Sequence, residues 1–167
     1  MKLTMRDVTK QRDVLEKSIQ QGGFVYGVIK WLDLEEEGYK TLILFAGDEP
    51  VTIMSVHQAW TSWNIMLMET GNRYRKQYYG VSALLYLFDF EDVRQVPTGE
   101  KPHIEKAPSN LVIDGEATWD SVKFWRHIGA DVDDNDEDEI TFKLSYDKFS
   151  DYLEQAIKYT TTFGSVK

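Results

Sequence analysis

Between residues 131 and 139 the chain carries seven carboxylates and no cation: Asp131, Asp133, Asp134, Asp136, Glu137, Asp138 and Glu139, interrupted by Val132 and Asn135. Carboxylates at that density coordinate hard cations or attract basic partners. Asp131, Asp133 and Asn135 occupy the alternate positions that open an EF-hand loop. The sixth position, however, is Asp136 where the turn needs glycine, and the twelfth is Phe142 where a bidentate glutamate should close the sphere. The EF-hand pattern fails at both places. A looser divalent site of His127, Asp131 and Asp133 stands as the metal candidate. Against it stand a solvated connector kept open by like-charge repulsion and a docking patch for a basic partner.

The one cationic cluster is Arg73-Tyr74-Arg75-Lys76-Gln77-Tyr78-Tyr79, with aromatics interleaved. Guanidinium and ammonium groups neutralise phosphates while rings stack on bases, so Arg73, Arg75 and Lys76 are the nucleic-acid candidates. The overall charge of −9 argues against that partner. The same pattern also arises where cations discourage edge pairing of a strand.

Other chemistry is sparse. His57, His103 and His127 fall in three separate segments. Gly22-Gly23-Phe24-Val25-Tyr26-Gly27 lacks the Lys-Ser/Thr of a phosphate loop, and there is no Gly-x-Ser-x-Gly elbow. Without cysteine there is no thiolate nucleophile, disulfide or zinc–thiolate centre. No cofactor is indicated, and the inventory points away from an enzyme. The five tryptophans belong by default to the core, but Trp119 and Trp125 stand six apart on one expected helix and cannot share a narrow face. One of them is expected at an interface.

These residues must be positioned by a chain of 167 residues, 42 % apolar, enough for one domain and an appendage. Removing the seven carboxylates from the net charge leaves only −2 over the other 158 positions, so the body is near neutral with one anionic loop. Residues 1–7 have no apolar stretch to serve as a leader, and the run Val81 to Phe88 is too short to span a bilayer. A cytoplasmic protein with no membrane association is expected.

Thr4-Met5-Arg6-Asp7 resembles a capping box, and Met5, Val8, Leu15 and Ile19 continue at helical spacing to Gly22-Gly23. Strands are expected at Phe24–Asp33, Tyr39–Ala46 and Val51–Val56, with Glu35-Glu36-Glu37-Gly38 as a hairpin turn. Residues 57–70 fit either a helix or a strand, and β-prone neighbours favour the strand. Further strands are expected at Tyr74–Tyr79 and Val81–Phe90. Pro97, Pro102 and Pro108 mark an irregular linker. Beyond it come a strand at 111–114, a helix to Ile128, a strand at 140–146 and a helix whose Phe149, Tyr152, Leu153, Ala156 and Ile157 form one stripe.

The expected fold is α+β: an N-terminal helix, a strongly curved antiparallel sheet or small barrel, then a small β-α-β-α module. The expected division is 1–96, a proline-rich linker at 97–109, and 110–167, the last docking on the first or on a second copy of the chain. The expected function is a non-enzymatic binding module (an inhibitor, immunity protein or chaperone-like partner) that occludes a basic protein surface. Its contacts would be Asp131, Asp133, Asp134, Asp136, Glu137, Asp138, Trp119 and Trp125. One alternative is a small-molecule or divalent-metal domain, catalytic or not, with Tyr26, Trp31, Trp63 and Tyr86 around its pocket. Another is a structural subunit of a multimeric particle such as a phage.

Overall fold

The computed structural model describes residues 3–59, 62–75, 78–89, 95–98, 111–136 and 138–162. Eight strands form one sheet among them: β1 (Leu3–Asp7), β2 (Lys40–Ala46), β3 (Glu49–Gln58), β4 (Ser62–Thr70), β5 (Gln95–Thr98), β6 (Val112–Glu116), β7 (Asp131–Asp133) and β8 (Thr141–Ser145). Their order is β5-β1-β2-β3-β4-β6-β8-β7. Every pairing is antiparallel except β4 with β6. The fold is α+β as expected, but the sheet is open, with β5 and β7 at its two edges, and not a small barrel. β6 joins the C-terminal strands to those of the N-terminal segment in this single sheet, and residues 99–110 lie outside the described ones.

Helices cover both faces. On one, α1 (Arg12–Gly22) and α2 (Val28–Glu36) bury Leu15, Trp31 and Leu34 against Ile43, Phe45 and Ile53. On the other, α3 (Tyr79–Asp89), α4 (Val122–His127) and α5 (Tyr146–Thr162) close a larger core around Met54, Trp63, Leu84, Ile113, Trp125, Phe142 and Phe149. Trp31 therefore lies in one core, and Trp63 and Tyr86 in the other, so they do not line a common pocket.

Several expectations need correction. Residues 4–7 are a strand: β1 pairs on both sides, and Asp7 closes a turn by accepting the Thr9 amide at 2.9 Å. The helix begins only at Arg12, and Gly23 ends it in the left-handed region at φ +67. The expected strand at 24–33 is largely α2, because Trp31 and Leu34 bury at a spacing of three. Glu35 and Glu36 end that helix instead of forming a hairpin turn. The expected strands at 74–79 and 81–90 give way to a 3-10 turn at Asn72–Tyr74 and to α3. An apolar run buried on most sides has no period to read, and Ala83, Leu84, Leu85 and Leu87 are strong helix formers. The segment 62–70 is the strand its flanks favoured.

Candidate functional site

The site begins with an irregularity in β4. Against β3, Ser55 faces Leu67 but Val56 faces Ile65, so Met66 is an extra residue, a β-bulge. On its other edge β4 pairs with β6 only from Ser62↔Val112 to Ile65↔Gly115. Beyond that point the two parallel strands part, although β4 stays paired to β3 as far as Thr70. Backbone N–H and C=O groups along Met66–Thr70 are thus released on the β6 side, in a cleft at the C-terminal ends of two parallel strands.

Gly115 stands where they part. A Cβ there would lie 2.0 Å from the Ile65 carbonyl oxygen, so only glycine allows the approach.

One wall of the cleft is the β4–α3 connection. Gly71 packs under the end of α1, where a Cβ would meet the Gly22 carbonyl oxygen at 2.3 Å. Arg73 donates through Nη2 to the Gln21 carbonyl at 2.6 Å, and the Tyr74 hydroxyl donates to Glu49 at 2.7 Å, a bond that raises the phenol's pKa. Arg75 is exposed, and its charge acts on Glu69. Tyr78 takes the left-handed region at φ +63 with its ring 58 % exposed, immediately before α3. The first amides of α3 have no intrahelical acceptor, and its first turn holds no acid. At Gly80, in the first turn of this helix, a Cβ would make ordinary contacts of 3.4–3.6 Å with Met68, Thr70 and Phe124. Two arginines in the segment that leads into an acid-free helix N-terminus make this connection a candidate anion cradle.

The other wall is the α1–α2 connection. Glu69, 8 % exposed at the end of β4, accepts hydrogen bonds from the backbone amides of Val25 and Tyr26. Burial raises its carboxyl pKa, opposed by those two bonds and by Arg75. Val25 and Ile29 are left exposed on the outside. Along the same face Asn64 donates to Asp114 at 2.9 Å and accepts from the Tyr39 hydroxyl at 3.5 Å, while His57 lies edge-on to Tyr39.

The residues singled out by the sequence are scattered over this frame. Arg73 and Arg75 lie in the connection between β4 and α3, Arg73 bonded to the Gln21 carbonyl, and Lys76 lies outside the described residues. Asp131 and Asp133 sit on the edge strand β7, and Asp133 accepts both the Asn135 backbone and side-chain amides. Asp134 pairs with Arg126 of its own chain at 3.0 Å, and Asp136 accepts the Asp138 amide. Glu137 and His103 lie outside the described residues. His127 stands against Tyr152, and among the described residues no three His, Asp or Glu side chains gather for a metal, so the set His127, Asp131, Asp133 is not assembled. Trp125 is 3 % exposed and stacks on Phe142 with ring centroids 3.7 Å apart, which removes it from any interface. Trp119 is 62 % exposed, three residues past the end of β6. Nothing local separates Glu69 and Asn64 from other polar residues, and Asp114 with Glu116 is one of several carboxylate pairs that carry no signal without a pocket. No helix among the described residues is long and apolar enough to cross a membrane.

No family model matches the chain, and no curated protein does. Solved structures do. The ribosomal-protein-S18-alanine N-acetyltransferase of Escherichia coli superposes with a TM-score of 0.56 at 12 % identity, over 86 % of this chain and 94 % of that one. The PaiA N-acetyltransferase of Thermoplasma acidophilum, solved in complex with coenzyme A, gives 0.55 at 14 %, over 87 % and 100 %. The Bacillus subtilis N-acetyltransferase YlbP, also with coenzyme A, gives 0.53 at 14 %, over 84 % and 95 %. The chain is similar to these in fold, and a further similar chain is described as of the GNAT family. This scaffold overturns the expectation of a non-enzymatic occluding module, and with it the inhibitor, immunity and phage descriptions.

Proposed function

We propose that this chain is a coenzyme A-dependent N-acyltransferase, with its reaction centre where β4 and β6 part. The observation that carries the reading is the coincidence of that parting with the anion cradle: Ile65↔Gly115 is the last pair, and the Arg73–Tyr78 connection and α3 follow directly from β4. Two of the similar structures hold coenzyme A, a ligand whose diphosphate joins a phosphorylated adenosine to a thiol-ended arm.

Arg73, Arg75 and the first amides of α3 would hold the diphosphate. The free edge of β4 from Met66 to Thr70 would align the arm by main-chain hydrogen bonds, as an added strand would. The coenzyme supplies an acyl group activated as a thioester. The chain contributes position, which turns an encounter of two molecules into reaction within one site. It also contributes backbone dipoles near the bulge at Met66, fixed before charge develops on the carbonyl oxygen. The acceptor would enter from the α1–α2 side, past Val25, Tyr26 and Ile29.

Titration calorimetry with acetyl-coenzyme A tests this. Micromolar binding is expected, and Arg75→Glu should weaken it by about tenfold or more, the scale of one charge-assisted contact made repulsive. Unchanged binding in Arg75→Glu would remove the cradle, and absence of binding to the native chain would remove the function.

A further inference from the structure

We infer that Asp114 accepts the proton of the incoming amine, with Asn64 and Tyr39 as positioning residues. The inference rests on the acyl-transfer reading and adds the group that completes it.

The placement comes from register. Asn64 and Asp114 are partners in the β4–β6 ladder, one pair before the strands part. Their neighbours Trp63 and Ile113 fill the core under α3 and α4, so the strand pleat sends Asn64 and Asp114 to the opposite face, the α1–α2 side. Asp114 is half-buried there, at the root of the cleft. The hydrogen bonds fix its orientation. A carboxylate can only accept, so Asn64 must present Nδ2 to Asp114 Oδ1 at 2.9 Å and turn Oδ1 toward the Tyr39 hydroxyl at 3.5 Å. With Oδ1 engaged, Oδ2 is the atom left to take a proton.

Besides Glu69 of β4, charged and titratable groups approach Asp114 from the neighbouring strands. Lys143 on β8 is the register partner of Asp114, Glu116 lies two residues along β6, Asp131 on β7 pairs with Lys143, and His57 on β3 stands against Tyr39.

The step balances. The amine enters after losing its ammonium proton to solvent, and its nitrogen forms the new C–N bond to the thioester carbonyl carbon. A second N–H proton passes to Asp114 Oδ2 as the C–S bond breaks, and the sulfur leaves as a thiolate that takes a proton from water. Asp114 then releases its proton to solvent across the open face. Amine and thioester have become amide and thiol.

The test uses the full chain, acetyl-coenzyme A and n-butylamine as a minimal primary amine, with thiol release as the rate. Asp114→Asn should lower kcat by about 100-fold or more, the ordinary scale of general-base loss. It should leave coenzyme affinity within about twofold, and added formate should restore part of the rate. Asn64→Leu should cost about tenfold without rescue by formate, because the base remains and only its orientation is lost. An Asp114→Asn rate within threefold of native, or a loss of coenzyme affinity equal to the loss of rate, would overturn the assignment. If the native chain binds acetyl-coenzyme A but acetylates no butylamine, the base assignment falls and the coenzyme site stands. If it binds none, both fall.

Discussion

Gly115 touches β4 through its backbone: a methyl group placed on it would sit 2.0 Å from the carbonyl oxygen of Ile65. That contact is the last between the two parallel strands before they diverge. Gly115→Ala must therefore push β6 off β4 or push the cleft open. Overpacking a tight site costs about 1–3 kcal/mol, and opposing backbone offers less give than a side chain. A loss near 3 kcal/mol is expected, a fall in Tm of roughly 6–12 °C for a chain of this size. Thermal unfolding followed by circular dichroism checks it, and a Tm within 1 °C of native would show that the strands do not meet as described.

Glu69 gives a pH dependence with a definite sign. Burial lifts its carboxyl above the ordinary value of 4.5 in the folded chain. Between that value and the raised one, the folded chain holds a proton that the unfolded chain has released, so raising the pH through this window costs stability. Below pH 4.5 both states are protonated and above the raised value both are ionised, so the effect is confined between them. In Glu69→Gln this part of the decline in Tm should vanish. Measured from pH 4 upward, an identical slope in the variant would show that Glu69 is not the titrating group.

Tyr78 holds φ at +63 without being a glycine, a conformation that costs an L-residue about 1–2 kcal/mol. Tyr78→Gly removes that strain and adds unfolded-state entropy, which offsets about half of the gain. A stabilisation of about 0.5–1 kcal/mol is expected by urea denaturation. If coenzyme affinity falls while stability rises, the exposed ring contributes to the ligand. If both stay level, the left-handed turn is not strained.

Much of the fold was legible because certain segments show their period. β2 and β8 were placed nearly to the residue, and Phe149 and Leu153 of the C-terminal stripe do bury their side chains. The two helices expected as strands share one cause. Residues 28–36 and 81–89 are short apolar runs in which strand and helix patterns coincide, and packing against a sheet built from distant residues decided between them. The site was half legible. Arg73 and Arg75 stand out as phosphate candidates by residue type alone, and the proposed function gives them a different phosphate ligand. The cleft left no local trace, since it depends on pairing between Ile65 and Gly115, fifty positions apart. Glu69 and Asp114 are two among 28 acidic residues, distinguished only by what surrounds them once folded.

The acidic segment that dominates the composition has a modest structural role. Asp134 pairs with Arg126 at 3.0 Å, but the two side chains remain 31 % and 50 % exposed, so water and salt screen the attraction. Asp133 and Asp136 spend their carboxylates on local amides, an arrangement that shapes a turn between β7 and β8. Asp134→Asn should therefore change stability by less than about 1 kcal/mol, and by less still in 0.5 M salt. Its acetyl-coenzyme A affinity should equal that of the native chain, because the pair lies on α4 and the loop after β7, whereas the cradle lies between β4 and α3. Paired calorimetry and urea titrations settle both points. A tenfold change in affinity would mean that this loop reaches the coenzyme.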